Sequence, residues 1–246
     1  MPTLSLVIPA YDEEARLPAL LEALEETAVD AVARAGFELV EALVVDDGSG
    51  DRTAEILAAS SGPMLKPVLG GGHRGKGAAV ARGARSATGE YVLVADADLS
   101  TPLGELGPLG AAVREGADVA VGSRAVAGAA VDRGPLHRKL TGRSFSLAVR
   151  LLTGLPIRDT QNGFKLLRTA TARELFAEQL CPGFAFDVEL LLRARRAGLR
   201  IAEVPVLYVH DSRSRVRVGR ASVEMLAEVS RLALRLRWRP PRRPRA

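Results

Sequence analysis

Two hydrophobic periods alternate along most of this chain. "LSLVIP" (4–9) is an unbroken apolar run and predicts a buried strand. From 13 to 36, Leu17, Leu20, Leu21 and Leu24 recur at helical spacing and Gly36 ends the run, which predicts one helix. "ELVEALVVDD" (38–47) predicts a second strand, and "SGDRTAEILAAS" (49–60) a short helix with Ser49 or Asp51 as its cap. "MLKPVL" (64–69) is a strand interrupted by Pro67, which suits the edge of a sheet. A glycine-rich loop then leads into a helix over 77–88. "YVLVA" (91–95) is the next strand, 103–116 a weakly patterned helix, and "DVAVGSR" (118–124) another strand. Beyond Arg124 the pattern predicts a helix over 136–153, a loop into a short strand over 157–168, a helix over 185–198, a strand over 200–209 and a closing basic helix.

Strands that alternate with helices predict an α/β fold, an open and mostly parallel sheet with helices on both faces. In such sheets ligands bind beyond the carboxyl ends of the strands. Pro9-Ala10-Tyr11, Asp46-Asp47-Gly48-Ser49 and Asp96-Ala97-Asp98 all fall at those ends, so three loops with acids in or beside them should meet on one rim. The expected division is a domain over 1–210, in two halves (1–124 and 125–210) that meet where the pattern changes after Arg124, followed by a basic helix and tail (211–246).

Composition narrows the class. With 246 residues, 47% hydrophobic and 26% charged, the chain can bury one substantial core. No apolar run approaches the roughly 20 residues that span a bilayer, the opening residues lack the features of a secretory leader, and the expected address is cytoplasmic. A single cysteine, Cys181, leaves no intrachain disulfide or cysteine-rich metal site. The formal net charge of +5 is uneven: from His210 onward eleven arginines face three acids, so that segment carries +8 and residues 1–209 carry −3. A basic tail can serve nucleic acid, but the ten aromatic residues form no stacking platform and the rim is acidic, so no nucleic-acid partner is expected.

Asp96 and Asp98 are the sharpest chemical feature. Two acids at the tip of a buried strand repel one another unless something positive joins them. A divalent ion, Mg²⁺ or Mn²⁺, bridging to the diphosphate of a nucleotide would do so. The plainer reading is that Asp98 or Ser100 caps the following helix. "LGGGHRGKGAAVARG" (69–83) approaches the phosphate-binding P-loop, but Gly77 stands where Ser or Thr must bind magnesium, and Val80 breaks the dinucleotide fingerprint. What remains is either a surface turn or a basic loop at a helix N-terminus, where Arg74, Lys76 and backbone N–H groups would meet phosphate. In "VVDDGSGDRT" (44–53), Asp46 and Asp47 stand at a strand end where a carboxylate can accept from the N–H of a base. The residues after them suit helix capping.

Taken in order, "LVIPAYDEE", "VVDDGSGDRT", "GKGAAVARG", "VADAD" and "GSR" resemble family 2 glycosyltransferases of the GT-A fold. "RDTQNGFKLLR", "AFDVELLLRARRAG" and "IAEVPV" extend the resemblance towards the polyprenyl-phosphate sugar synthases, in particular the dolichyl-phosphate β-glucosyltransferases, over about residues 4–210. The resemblance implies inverting transfer from a nucleotide sugar, UDP-glucose above GDP-mannose, to a polyprenyl phosphate, with a soluble or glycan hydroxyl as the alternative acceptor. It implies that Pro9, Ala10, Tyr11, Glu13, Asp46, Asp47 and Lys76 bind the donor and that Asp96 and Asp98 hold the metal and diphosphate. Arg124, Arg138 and Arg143 would meet the acceptor phosphate, and Gln161 would lie near the sugar. Two positions depart from the family pattern: Asp12 stands for its usual Asn and Asn162 for its common Cys.

A phosphate acceptor is already an anion and needs cations to position it. Arg124, Arg133, Arg138, Lys139 and Arg143 supply a cluster. A hydroxyl acceptor would need a base, and Asp187 and Glu189 are the candidates, although Asp187 equally suits a helix N-terminus. In the basic C-terminal helix, Val223, Leu226, Val229, Ala233 and Leu236 follow helical spacing with Leu232, Leu234 and Trp238 nearby. Such a helix either lies on an anionic membrane as a peripheral anchor or packs against its own domain.

Overall fold

The computed structural model describes residues 1–60, 62–131, 136–209 and 218–237, with side chains described for all of these except 136–143, 218–224 and 237. Seven strands form one sheet in the order β3-β2-β1-β4-β7-β5-β8. They are β1 (Thr3–Ala10), β2 (Glu38–Asp46), β3 (Leu65–Val68), β4 (Tyr91–Val94), β5 (Val119–Ser123), β7 (Lys165–Arg168) and β8 (Ile201–Pro205). All neighbours are parallel except β7, which runs antiparallel between β4 and β5. A two-stranded parallel ribbon, β6 (Ala130–Val131) with β9 (Leu207–Tyr208), lies apart from it.

Period-two alternation sends the strand residues to opposite faces. Leu4, Leu6 and Ile8 join the core that also holds Leu17, Leu20, Val32, Leu57 and Leu106, from α1 (Leu17–Glu26), α2 (Ala28–Arg34), α3 (Thr53–Ala59) and α5 (Leu106–Arg114). Val7, Val45, Val92 and Val121 join the other core. That core is covered by α4 (Lys76–Ser86), α6 (Leu136–Thr153), α7 (Thr169–Ala177), α8 (Phe186–Arg196) and α9 (Val218–Arg237). β7 and β8 come from beyond Arg124 and complete the same sheet, so the chain on both sides of Arg124 builds one scaffold.

The sequence expectations hold for most elements, with instructive departures. Residues 13–36 form two helices, not one. Thr27 breaks them at φ −125°, and its hydroxyl donates at 2.8 Å to the same Ala23 carbonyl that its backbone N–H reaches at 3.0 Å. The first helix also begins late, at Leu17. The backbone N–H groups of Glu13 and Glu14 donate instead to Thr53 Oγ1 and Asp51 Oδ2, tying this turn to the loop after β2. That loop shortens the third helix to Thr53–Ala59: Ser49 serves Asp46, while Asp51 accepts from the Thr53 N–H at 2.9 Å just ahead of the helix. The strand expected over 200–209 breaks after Pro205 and hands over to β9. Helix α7 was not anticipated, although Ala172, Leu175 and Phe176 carry its buried stripe.

Candidate active site at the carboxyl rim of the sheet

The strand order reverses between β1 and β4, since β2 and β3 extend on one side and β7, β5 and β8 on the other. The crevice beyond the carboxyl ends of β1 and β4 is therefore the place where this sheet opens to a ligand. Ala10 ends β1, and its carbonyl accepts from the Asp47 N–H at 2.9 Å, so the first two acidic loops are stitched together at their base. Asp12 adopts φ +53°, a left-handed conformation that Asn and Asp tolerate best, and its Oδ1 accepts from the Gly50 N–H at 2.8 Å.

Asp46 and Asp47 each hold a loop of the rim. The Asp46 carboxylate holds its own turn, accepting from the N–H groups of Gly48 and Ser49 and from Ser49 Oγ. Asp47 accepts from the N–H groups of Gly75 (2.7 Å) and Arg74 (3.2 Å) and pairs with His73 Nδ1 at 2.8 Å. It anchors the glycine-rich loop to the rim. Gly48 makes this possible: at φ +74°, a Cβ would lie 2.6 Å from the His73 nitrogen. His73 is a rim residue that the sequence motifs did not single out. Its ring lies 4.0 Å from that of Tyr11, which is itself 44% exposed, so the two rings form an aromatic surface at the rim.

The third loop delivers the acid pair. The Leu99 N–H donates to the Asp96 carbonyl, and Leu99 takes φ +46°, unusual for a bulky side chain. This strained turn brings Asp96 and Asp98 to one rim, and strain of this kind concentrates at functional sites. Asp98 accepts from the Ser100 N–H at 2.9 Å, so it also holds the turn, and Arg16 Nη1 lies 3.9 Å away. Arg16 in turn is clasped by Glu13 at 2.6 and 2.8 Å. Asp96 pairs with Lys76 Nζ at 2.5 Å. Burial opposes ionisation of both, but their mutual attraction prevails, lowering the Asp96 carboxyl and raising the Lys76 ammonium from their usual values. Lys76 is the first residue of α4, after Gly75 at φ +110°; the loop therefore reaches the acid pair through its lysine.

Two further ion pairs continue the charged seam. Lys165 is fully buried in β7, donating to Asp187 at 2.5 Å and to the Asn162 carbonyl. Burial pushes the Asp187 carboxyl up despite Lys165 and Lys76 beside it. Lys165 was not singled out from sequence, although a lysine between Phe164 and Leu166 on a strand was its signal. Arg124, just past β5, is gripped by Asp159 through Nε (2.7 Å) and Nη2 (2.9 Å), and lies 4.8 Å over the Tyr208 ring. Its guanidinium is therefore already held by a carboxylate where a free phosphate partner was expected. Gln161 is placed against Met225 of α9, with Nε2 2.6 Å from the sulfur. Asn162, in place of the family's cysteine, is buried and accepts from the Phe164 N–H at 3.0 Å, holding the turn into β7. Glu189 accepts from the N–H groups of Leu180 and Cys181 and from Arg193, a structural role. The side chains of Arg138, Lys139 and Arg143, and all of Arg133, lie outside the described residues.

The acid pair suits a divalent cation. Among the described residues no group of three or more metal-ligating side chains occurs, so Asp96 and Asp98 would supply only part of a shell. Mg²⁺ and Mn²⁺ sites of this kind take one or two carboxylates and complete themselves with substrate phosphate oxygens and water. Gly163 leaves the space this requires: a Cβ there would lie 2.4 Å from Asp96 Oδ1.

Comparison with known proteins agrees with this geometry. The sequence model of glycosyl transferase family 2 matches residues 5–176. The dolichyl-phosphate beta-glucosyltransferase of Drosophila melanogaster is 34% identical over 227 residues, covering 87% of this chain and 69% of its own. The dolichol-phosphate mannosyltransferase of Pyrococcus furiosus is 30% identical over 240 residues, covering 95% and 64%. Among solved structures, glucosyl-3-phosphoglycerate synthase from Mycobacterium tuberculosis with UDP superposes with a TM-score of 0.65 at 24% identity, over 94% of this chain and 80% of that one. The same enzyme with Mn²⁺, UDP and phosphoglyceric acid gives 0.64 at 23%, over 94% and 78%. The mixed sheet with its acid pair at the switch point is that of a GT-A enzyme, and the chain belongs to glycosyl transferase family 2.

Proposed function

We propose that the protein transfers glucose, with inversion, from UDP-glucose to a polyprenyl phosphate. The observation that carries this reading is the acid pair Asp96 and Asp98 at the β1–β4 switch point, beside the basic loop of Lys76, in a chain whose relatives include dolichyl-phosphate beta-glucosyltransferases. In this reading Tyr11 and His73 face the base, with Asp47 fixing the loop behind them. Lys76 and the start of α4 face the diphosphate. Asp96 and Asp98 hold Mg²⁺ or Mn²⁺, which would neutralise charge on the departing diphosphate.

The state of the carboxylates favours a phosphate acceptor. An acceptor phosphate attacks the anomeric carbon as an anion and needs no base. A hydroxyl acceptor would need one, and Asp187 is buried against Lys165 while Glu189 is occupied by backbone donors. The acceptor phosphate is assigned to Arg138 and Arg143 at the start of α6. Arg124, braced by Asp159, is assigned to the same phosphate.

Membrane contact is part of this proposal, on a different surface from the one the sequence suggested. Val229, Leu232 and Leu236 of α9 are buried in the core. The apolar stripe of α9 therefore packs on its own domain. Apolar side chains that do face outward are Leu147 and Leu151 on α6, one turn apart and 54% and 77% exposed, and Leu234 on α9. Exposed Arg150, Arg231 and Arg235 share these two helices, which pack side by side. Leucines among arginines suit the surface of an anionic bilayer. No described helix is long and apolar enough to cross a membrane.

The test is transfer of radiolabel from a panel of nucleotide sugars into an organic-extractable lipid, using polyprenyl phosphate in vesicles with Mg²⁺ or Mn²⁺. Label from UDP-glucose should enter the organic phase. Label from GDP-mannose alone would change the donor, and label found only in an aqueous product would overturn the acceptor.

A further inference from the structure

We propose that Lys76 is the resident counter-ion of Asp96 in the donor-free enzyme, so that a divalent cation enters the acid pair only together with a nucleoside diphosphate. The inference rests on the donor half of the proposed function and adds an order of binding to it.

The geometry of the pair leads there. Lys76 Nζ lies 2.5 Å from Asp96 Oδ1, on the carboxylate that the cation would use. Gly163 lies against the same carboxylate and leaves it accessible: a Cβ there would lie 2.4 and 2.5 Å from the two oxygens. A cation that takes Asp96 Oδ1 must compete with the ammonium already bound to it. Asp98 is likewise engaged, by the Ser100 N–H and by Arg16 at 3.9 Å. The rim thus carries its own compensating charge, and a bare cation would gain little by entering.

Where the ammonium can go decides the coupling. The backbone of Lys76 cannot shift: the Gly75 N–H is held by Asp47, and the Ala78 N–H donates to the Pro182 carbonyl. Gly77 packs so closely on α8 that a Cβ would lie 2.4 Å from Phe186 Cβ. The flexible stem can swing. Its ammonium lies 5.9 Å over the Phe186 ring, and the other nearby acid, Asp187, is occupied by Lys165 at 2.5 Å. A cation alone would strand the ammonium beside a second positive charge in a partly buried site, 18% exposed at Lys76. A cation that arrives with a diphosphate brings phosphate oxygens, and the displaced ammonium pairs with those. Cation and nucleotide should therefore bind cooperatively, each raising the affinity of the other by the same factor.

The experiment is a Mn²⁺ titration of the full chain, read by the electron paramagnetic resonance signal of the free ion, with no nucleotide, with UDP and with GDP. Neither sugar nor acceptor is present. For the wild type, UDP should tighten Mn²⁺ by about tenfold or more, within the usual range of site–site coupling, and Mn²⁺ should tighten UDP equally. Lys76→Met keeps the stem over Phe186 and removes the charge. It should bind Mn²⁺ without nucleotide about tenfold more tightly than the wild type and lose most of the gain from UDP. Lys76→Arg should keep the wild-type pattern. An unchanged or weaker nucleotide-free affinity in folded Lys76→Met overturns the proposal. So does a wild type that binds Mn²⁺ equally with and without nucleotide, whatever the variants do. A wild type that binds neither UDP nor GDP with Mn²⁺ overturns the donor reading beneath it. Coupled binding without transfer to lipid phosphate would overturn only the acceptor reading and leave this proposal standing.

Discussion

Glu41, on β2, and Asp96, in the turn just past β4, are acids with a lysine partner each, and they stand at opposite ends of one sheet. Glu41 lies in the first half of β2, opposite Ser5, and is 1% exposed. It accepts from Ser5 Oγ (2.6 Å), the Thr88 N–H (2.6 Å), Thr88 Oγ1 (2.8 Å) and Lys66 Nζ (2.8 Å). Burial would raise its carboxyl, but these donors outweigh that and hold it at about 2. Asp96 is 34% exposed on a strained turn and has Lys76 as its side-chain partner among the described residues. Two similar pairs therefore do opposite things. The acid with fixed donors from three strands and loops ties the fold together. The acid with one mobile partner and an open side can exchange that partner for a ligand.

The comparison can be broken most forcefully at the rim. Asp98→Ala should reduce transfer by about 10²- to 10³-fold, the cost of removing one charge-stabilising group, with little change in melting temperature. EDTA should do the same to the wild type. Full turnover in EDTA, or a loss of stability in place of rate, would remove the distinction between the two ends. Next in size is the acceptor cluster. Arg138→Ala and Arg143→Ala should each lower transfer by about tenfold to a hundredfold while calorimetry finds UDP affinity unchanged. Affinity falling in step with rate would reassign these arginines to the donor.

At the other end, Glu41→Gln should destabilise the protein by about 1–3 kcal/mol in urea unfolding and leave the rate per folded molecule intact. The pH dependence follows from the depressed carboxyl. Its stabilising contribution is complete above the ordinary value near 4.5 and is lost as pH falls towards about 2. The wild type should lose stability across that window, and Glu41→Gln should lack that part of the loss. The smallest effect concerns the outer surface. Leu151→Glu should weaken binding to anionic vesicles by about tenfold or less and spare transfer to a short detergent-dispersed acceptor. Unchanged vesicle binding would leave α6 out of the membrane contact.

Much of this was legible in the chain because periodicity and strand-end placement are local signals. The runs at 4–9, 38–47 and 91–95 gave the parallel core, and Pro67 correctly marked β3 as the edge. What the sequence could not state was which partner each rim residue takes. Asp47 and Arg124 look alike in sequence to free binding groups, yet one holds Arg74 and Gly75 and the other is held by Asp159. Those pairings join residues 28 and 35 apart, and only the folded rim brings them together. The antiparallel insertion of β7 was hidden for the same reason, since strand direction within a sheet is a long-range property. Lys165 was missed because a charge inside a strand reads as a solvated face unless its partner, Asp187, is known.

The most direct test is anomalous diffraction from crystals grown with Mn²⁺ and UDP-glucose. The account predicts one strong peak between Asp96 and Asp98, shared with the diphosphate, the uracil beside Tyr11 and His73, and Lys76 Nζ moved from Asp96 onto a phosphate oxygen. A nucleotide bound away from the β1–β4 crevice, or Mn²⁺ seated elsewhere with the Lys76–Asp96 pair intact, would contradict it.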